Sequence, residues 1–382
     1  MQSVFIDRLK LTNFRNHTST SISVNCRHVV IYGENGAGKT NLLEALSFLS
    51  PGRGMRRSAY DQICRIGIED GWTVFCKIQG PNGETSIGTG LQLTNSGLEN
   101  QRKTQINGSP AKTSDDLLEY SRILWLTPTM DGLFTGPASD RRRFLDRMVL
   151  AIDPAHGKRV NAYEKSIRSR NKLLSEPNPD TIWLDANEVQ IAEHGVAIAC
   201  ARHEMVALLS RSIIENNDPN SPFPDAVVSL QGSLEDALHD ISASDLEGEY
   251  LSRLRGSRAI DAKAGRTLEG PHRSDLIVWH RPKSMAAAQC STGEQKALLI
   301  GLTLAHARLV GEMAGLTPIL LLDEIAAHLD EGRRAALYKI LDELGCQAWM
   351  TGTERSLFAA LENQANFLEV SEGQVNADTA AT

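Results

Sequence analysis

Eight consecutive residues have the types and spacing to hold a polyphosphate: Gly33-Glu34-Asn35-Gly36-Ala37-Gly38-Lys39-Thr40. They fit GxxxxGK[ST]. Three glycines free the backbone to turn its N–H groups inward, and Lys39 brings a positive charge to the outer phosphates. The Thr40 hydroxyl is a hard oxygen ligand for Mg²⁺, and Asn41 completes the run of expected phosphate-site residues. A second group stands far along the chain. Leu320-Leu321-Leu322 is an apolar run that ends in two carboxylates, Asp323 and Glu324. Asp323 suits a water-bridged Mg²⁺, and Glu324 suits a general base that polarises an attacking water. The chemistry implied is hydrolysis of a nucleoside triphosphate, with ATP and Mg²⁺ as the expected ligands.

These residues need particular elements to hold them. Val29 to Tyr32 reads as a short buried strand running into the glycine-rich turn, and Leu42, Leu43, Leu46 and Leu49 give the helical spacing expected after it. A strand entering a glycine loop that opens a helix is the context a phosphate loop requires. Ile319 to Leu322 reads as a second buried strand, which would put Asp323 and Glu324 at a C-terminal strand end, where open α/β sheets bind ligands. Phe5 to Leu11 and Ile22 to Val24 alternate as strands. Residues 70 to 110 read as short strands with turns at Asn82-Gly83 and Asn107-Gly108, and Ile123 to Leu126 as another strand. Pro137 and Ser139 open a helical stretch to about residue 215, in which Val189, Ala192, Val196, Ala199 and Val206 form one inward face; residues 216 to 224 read as a loop. Strands return at Asp275 to Trp279. A helix is expected after Gly293, and residues 371 to 382 read as a frayed tail. The fold class is therefore α/β, a phosphate-loop ATPase head of residues 1–130 plus 267–382 interrupted by a mainly helical lobe of residues 131–266.

Ser291-Thr292-Gly293-Glu294-Gln295-Lys296 stands 32 residues before Asp323. By itself Ser291 to Glu294 is a helix capping box. Its place in the chain resembles the signature of ATP-binding-cassette proteins, whose Ser and Gly touch the γ-phosphate held by the other subunit. That resemblance extends to Ala326-Ala327-His328-Leu329-Asp330, which is similar to the superfamily's D-loop ending in Leu-Asp.

The chain as a whole resembles the RecF family of bacterial recombination mediators, relatives of the SMC-type chromosome and repair ATPases. The matching stretches are LKLTNFRNH (9–17), GENGAGKTNLLEAL (33–46), DRRRFLDR (140–147), GPHRSDL (270–276), STGEQK (291–296), LLLDE (320–324) and TGTE (351–354). The resemblance implies an ABC/SMC-type head with an inserted helical lobe, ATP-dependent homodimerisation and slow hydrolysis. It also implies binding at double-stranded or gapped DNA, and work with RecR and RecO in loading recombinase. On the same resemblance Ser291 and Gly293 would contact nucleotide, Asp330 would lie beside it, Arg15 would approach its phosphates, and Thr351 would reach the γ-phosphate. Pro128-Thr129-Met130-Asp131 departs from the family's Pro-Glu-Asp and is the candidate coupling loop. The stretch 350–353 lacks a transporter's switch histidine.

The chain of 382 residues carries a net charge of −7, so a uniformly basic nucleic-acid coat is excluded. Residues 141 to 172 nevertheless hold ten Lys/Arg against three acids. Arg141, Arg142, Arg143, Lys158, Arg159 and Arg168 are the candidate DNA contacts within it, phosphate binding of this kind being independent of sequence and sensitive to salt. The same charges would equally suit a solvated, ion-paired helix face, and Arg141 to Arg143 could pair with acids of the ATPase head as a hinge. No aromatic cluster points to base stacking. Cys26, Cys64, Cys76, Cys200, Cys290 and Cys346 form no CxxC pair, which speaks for a reducing compartment. The charged opening segment and the lack of a continuous apolar run of about 20 residues lead to the expectation of a cytoplasmic protein without a membrane span. Two other functions fit the sequence less well. A transporter's nucleotide-binding subunit would not usually carry the long insertion between Lys39 and Ser291. An SMC-like nuclease would be expected to show coiled-coil heptads and a second carboxylate cluster.

Overall fold

The computed structural model describes residues 2–25, 27–68, 70–94, 97–98 and 101–377. The chain forms two compact units. Unit 1 is residues 1–131, 219–223 and 299–382; unit 2 is residues 132–218 and 224–298. The sequence boundary at 266/267 thus falls inside unit 2.

Unit 1 begins with β1 (Phe5–Phe14), β2 (His17–Ser23) and β3 (His28–Tyr32), followed by α1 (Lys39–Ser47). Then come β4 (Gly71–Gly80), β5 (Gly83–Thr94), β6 (Gly97–Leu98), β7 (Lys103–Ile106), β8 (Ser109–Pro110) and β9 (Ile123–Leu126). The expected short strands of 70–110 include two long ones, because Pro81-Asn82 closes a tight hairpin and the pairing of β4 with β5 runs unbroken from Gly80–Gly83 to Gly71–Gln92. Asn107 and Gly108, both at positive φ, make the tight turn the sequence announced.

Unit 2 holds α2 (Ala138–Leu150), α3 (His156–Leu174) and α4 (Thr181–Glu215), with β10 (Ala226–Gln231) next. Three further helices follow, α5 (Ser233–Ala237), α6 (Ala243–Gly256) and α7 (Arg258–Ala264), and then β11 (Asp275–His280) and β12 (Met285–Ala286). Its core gathers Tyr163, Ile167, Ile191, Val196, Ala199, Leu246 and Tyr250. Ala192, Val196 and Ala199 face inward as expected, but Val189 is exposed: in a helix packed through Leu184, Glu188 and Ile191 it falls outside the buried stripe. β10 pairs antiparallel with β11, so the inserted lobe is not wholly helical.

The chain leaves unit 2 through α8 (Thr292–Ala314), which begins in unit 2 and ends in unit 1. This helix is long and apolar enough to cross a membrane by length and composition, but 67% of its most apolar window is buried in the protein, as a core helix is. Unit 1 is completed by β13 (Ile319–Leu322), α9 (Glu331–Leu344), β14 (Gln347–Gly352), β15 (Ala365–Ser371) and β16 (Gln374–Ala377). The expected frayed tail is thus a β-hairpin as far as Ala377; residues 378–382 lie outside the described residues.

Two sheets build unit 1. One is antiparallel, ordered β2-β1-β4-β5-β7-β8 with β6 on β5; the other is ordered β16-β15-β3-β14-β13-β9. In the second, β15, β3, β14, β13 and β9 are mutually parallel; β13 and β9 are wholly apolar and, like β14, buried along their whole length, as strands covered on both faces are. Its register sets Thr351 beside Ile31, and Leu322 beside Met350 and Leu126. The strand ends carrying Gly33, Asp323 and Thr351 are thereby drawn to one edge of the sheet.

Candidate nucleotide-binding site

The buried strand β3 feeds the loop Gly33–Gly38, and α1 begins at Lys39. Gly33, Gly36 and Gly38 all have positive φ. At Gly33 a Cβ would come 2.2 Å from the Val370 carbonyl oxygen, and at Gly38 one would come 2.5 Å from the Asn16 Nδ2, so both positions are closed to other residues. Nothing lies within 4 Å of the Cβ direction at Gly36. One face of the loop is pressed against protein while Gly36 opens outward. The Lys39 Nζ donates to the carbonyls of Gly33 and Glu34 at 2.7 and 2.8 Å. Burial lowers the pKa of this ammonium, against the pull of Glu324 and Asp323.

At the end of β13, Asp323 is the hub. Its Oδ1 accepts from the Thr40 hydroxyl at 2.9 Å and from the Thr351 hydroxyl at 2.8 Å. The Thr351 Oγ1 in turn accepts the Glu324 backbone N–H at 2.9 Å. Burial raises the pKa of Asp323, the two hydroxyls pull it back, and neighbouring Glu324 pushes it up again. Glu324 itself has φ +54, an uncommon conformation for a side chain with a Cβ, and it is only half-buried. Through these two bonds Thr351 positions both acids. Its signal in the sequence was the TGTE stretch after the last parallel strand but one.

The donor set fits the ligands the sequence implied. A helix N-terminus, a glycine loop and a lysine ammonium suit a polyphosphate. Thr40 Oγ1 and Asp323 Oδ1 are hard oxygens at one spot, as Mg²⁺ requires. Among the described residues no group of three or more His, Cys, Asp or Glu could hold a metal alone. That fits an ion which takes one or two protein ligands and completes its shell with phosphate oxygens and water.

Arg15 is engaged by neighbouring protein groups. Its guanidinium forms a bidentate pair with Glu44 of α1 at 2.9 and 2.6 Å, and also donates to the Ser58 hydroxyl and the Gln62 carbonyl. Glu44 is fully buried and is bound by Arg56 as well, which also donates to Asn41 Oδ1. Arg15 thus fastens the β1–β2 turn to α1. Asn16 and His17 close the LKLTNFRNH stretch, which gave no sign that they support the loop, and Arg56 lies in none of the matched stretches.

In unit 2, Ser291 and Glu294 form the helix start that the spacing foretold. The Glu294 carboxylate accepts from the Ser291 N–H at 3.0 Å and from its hydroxyl at 2.9 Å, and Lys283 pairs with the same acid. Nothing lies within 4 Å of the Cβ direction at Gly293. Back in unit 1, Asp330 caps α9, its Oδ1 accepting the Arg333 N–H at 2.8 Å. Pro128–Met130 is a single 3₁₀ turn directly after β9.

The candidate DNA arginines are mostly engaged in structure. Arg141 is bidentate to Asp275 at 2.7 Å on both arms and donates to three carbonyls of residues 133 to 136. Arg142 donates to the Ser274 carbonyl. Asp275 and Ser274 belong to the 267–382 segment assigned to the head from sequence, so the expected pairing of Arg141 with an acid there is present; all of these residues lie in unit 2, which the pairs help hold together. Arg143 pairs with Asp140, Arg159 with Asp153 and Arg168 with Glu164. Arg170, counted in the basic run, is fully buried between Glu188 and Asp261. Lys158, Lys165 and Lys172 are exposed. Their spacing of seven puts them on one face of α3.

A family profile described as RecF/RecN/SMC N terminal domain matches residues 5–376. A protein named DNA replication and repair protein RecF from Brucella suis is 60% identical, over 97% of this chain and 96% of its own. One of the same name from Rhizobium meliloti is 55% identical, over 98% of this chain and 99% of its own. The solved structure of the recombination mediator protein RecF with ATP in the RecFOR pathway superposes with a TM-score of 0.83 at 24% identity, covering 99% of this chain and 98% of that one. The Smc head domain from Pyrococcus furiosus, bound to the C-terminal domain of ScpA, superposes with a TM-score of 0.53 at 16% identity, covering 98% and 96%. These likenesses confirm the α/β head fold of the ABC/SMC type.

Proposed function

The chain belongs to the RecF family of DNA replication and repair proteins, and on that premise we propose that it is an ATP-gated DNA clamp. ATP with Mg²⁺ binds on the Gly33–Thr40 loop, with Thr40 and Asp323 as the metal's protein ligands. Glu324 orients and deprotonates the attacking water. Ser291 and Gly293 of a second copy close over the γ-phosphate, with Asp330 beside it, so that ATP is the ligand that favours the dimer. Slow hydrolysis then releases it. The domains act as an ATPase head and an inserted lobe, in the cytoplasm, on duplex or gapped DNA and together with RecR and RecO.

One observation carries this reading. Thr40, Asp323, Glu324 and Thr351 come from three separate segments and meet at one strand edge through hydrogen bonds of 2.8 to 2.9 Å. An ordinary strand end has no reason to gather them. The arginines first singled out for DNA are engaged by carboxylates or carbonyls, so the exposed lysines of α3, chiefly Lys165 and Lys172, form the phosphate-binding face.

Sedimentation of the purified protein with no nucleotide, ADP or a non-hydrolysable ATP analogue, with and without gapped duplex, tests the proposal. A dimer formed only with the analogue, carrying DNA, is expected. Lys39→Met should lose both dimer and DNA, whereas the double change Lys165→Glu, Lys172→Glu should keep the dimer and lose DNA. A wild-type monomer in every condition, or DNA retention by Lys39→Met, would overturn the clamp.

A further inference from the structure

The phosphate loop is gripped from outside by two turns that the ATPase motifs do not include. The first is the β1–β2 turn. Asn16 Nδ2 donates to the Ala37 carbonyl at 2.9 Å, and Asn16 Oδ1 accepts from Asn41 Nδ2 at 2.7 Å. The second is the β15–β16 turn, whose Gly373 N–H donates to the same Ala37 carbonyl at 3.0 Å. His17, fully buried, joins the two: its Nδ1 lies 2.9 Å from the Gly373 carbonyl oxygen, and its Nε2 lies 3.3 Å from the Gly38 carbonyl oxygen.

A planar trans peptide couples the two sides of the loop. The carbonyl of one residue and the N–H of the next point in opposite directions. A donor that pins the Ala37 oxygen on the outside therefore aims the Gly38 N–H inward, and one that pins the Gly38 oxygen aims the Lys39 N–H. Those N–H groups are the ones a phosphate would meet at the loop's end and the helix start. From this geometry we infer that Asn16 and His17 are positioning residues for phosphate binding: they set the direction of the Gly38 and Lys39 N–H groups from outside the site. The inference rests on the ATP reading above and adds residues to it.

His17 serves this purpose in either neutral tautomer. Protonated at Nε2 it holds the Gly38 carbonyl directly; the Gly373 carbonyl oxygen must then draw back from the Nδ1 lone pair, to which the Thr20 hydroxyl, 3.2 Å away, can donate. Protonated at Nδ1 it holds the Gly373 carbonyl, and Gly373 in turn holds Ala37. Both routes end on the loop. Burial lowers the pKa of His17, which keeps the ring in one of these neutral forms near pH 7. The close approach at both glycines adds support. Gly38 meets Asn16, and Gly373 would carry a Cβ only 2.7 Å from the Asn16 carbonyl oxygen.

Nucleotide titration and unfolding together test the role. Asn16→Ala, His17→Leu and His17→Gln would be compared with wild type and Lys39→Met for ATP and ADP affinity, and for the unfolding midpoint without nucleotide. Each lost donor corresponds to about one net hydrogen bond, so Asn16→Ala and His17→Leu should bind both nucleotides roughly three- to tenfold more weakly. His17→Gln, whose amide can still donate toward Gly38, should recover most of the loss. The midpoint of Asn16→Ala should fall only slightly, because the two bonds it loses belong to an exposed side chain, where water replaces them. Affinity within twofold of wild type for both variants would overturn the role. If His17→Leu does not fold, Asn16→Ala decides alone. A wild type that binds no better than Lys39→Met would instead refute the ATP reading itself.

Discussion

Replacing Thr351 by Val removes one hydroxyl and keeps the volume. The effect can be worked out bond by bond. Thr351 is fully buried. Its hydroxyl donates to the Asp323 carboxylate at 2.8 Å and accepts the Glu324 N–H at 2.9 Å. A hydrogen bond to a charged group contributes about 1.5–3 kcal/mol, and a buried N–H left without an acceptor costs about 1–3 kcal/mol. The two losses share one atom and overlap, so about 2–4 kcal/mol is expected in the stability of unit 1. Asp323 loses the first-ranked of the influences that offset its burial, and its pKa rises further. A carboxyl that ionises less readily is a poorer metal ligand, and Glu324 loses the bond that helps hold its backbone at φ +54. Hydrolysis should therefore fall by more than tenfold while ATP affinity changes little, because the phosphate loop is untouched. Denaturant unfolding, nucleotide titration and phosphate release measure the three quantities, with Thr351→Ser as the variant that should behave as wild type. Wild-type hydrolysis in Thr351→Val, or a stability loss below about 0.5 kcal/mol, would show that the hub around Asp323 has been misread.

Arg170→Met should destabilise unit 2 by about 3–5 kcal/mol, because Glu188 and Asp261 would be left buried without their common cation. A shift below about 1 kcal/mol in denaturant unfolding would refute that account. Acid should act in two stages. Burial lowers the pKa of His17, His28 and His272 below 6.5, so the unfolded chain takes up protons first and stability falls as pH drops below 6.5, by at most about 1.4 kcal/mol per pH unit for each ring. Burial pushes Asp146 upward, but Arg202 and His156 together outweigh it and hold it at about 2, so its contribution is present above pH 3.8 and is lost between there and about 2. Unfolding midpoints at a series of pH values check both stages; a flat profile from pH 6.5 to 5 would contradict the first.

The parts of this protein that were legible from sequence share one property: local residue types dictate them. The phosphate loop needs its glycines at fixed offsets, and the strand at 319–322 and the helix start at Ser291 announce themselves by apolar runs and capping residues. What stayed hidden depends on pairing between distant segments. The 226–231 strand pairs with 275–280, and no periodicity within residues 131–266 reveals that partner. Residues 371–377 read as a tail because Glu372 and Gly373 suit a loop, yet residues 374–377 pair back on 368–371 and the turn between them holds Ala37. Arg15 looked free to reach a phosphate because Glu44, 29 residues away, gives no sign in the sequence that it is buried and needs a cation.

The basic run of residues 141–172 shows that a charge count does not say which charges are free for a ligand. Its arginines and lysines have been used for different ends. Arg141, Arg142 and Arg170 satisfy carboxylates and carbonyls inside unit 2. Arg143, Arg159 and Arg168 sit in ion pairs, and Arg147 lies over the Phe144 ring. A planar fork of five donors can meet several acceptors at once and is more weakly hydrated than an ammonium, so arginine is the cation that packing draws inward. Lys165 and Lys172 remain on the exposed side of α3. Six of the ten cations are therefore engaged by carboxylates or carbonyls before any ligand arrives. The field that a phosphate backbone would meet comes from a lysine stripe, a strongly hydrated set of point charges suited to binding that is sensitive to salt and indifferent to sequence.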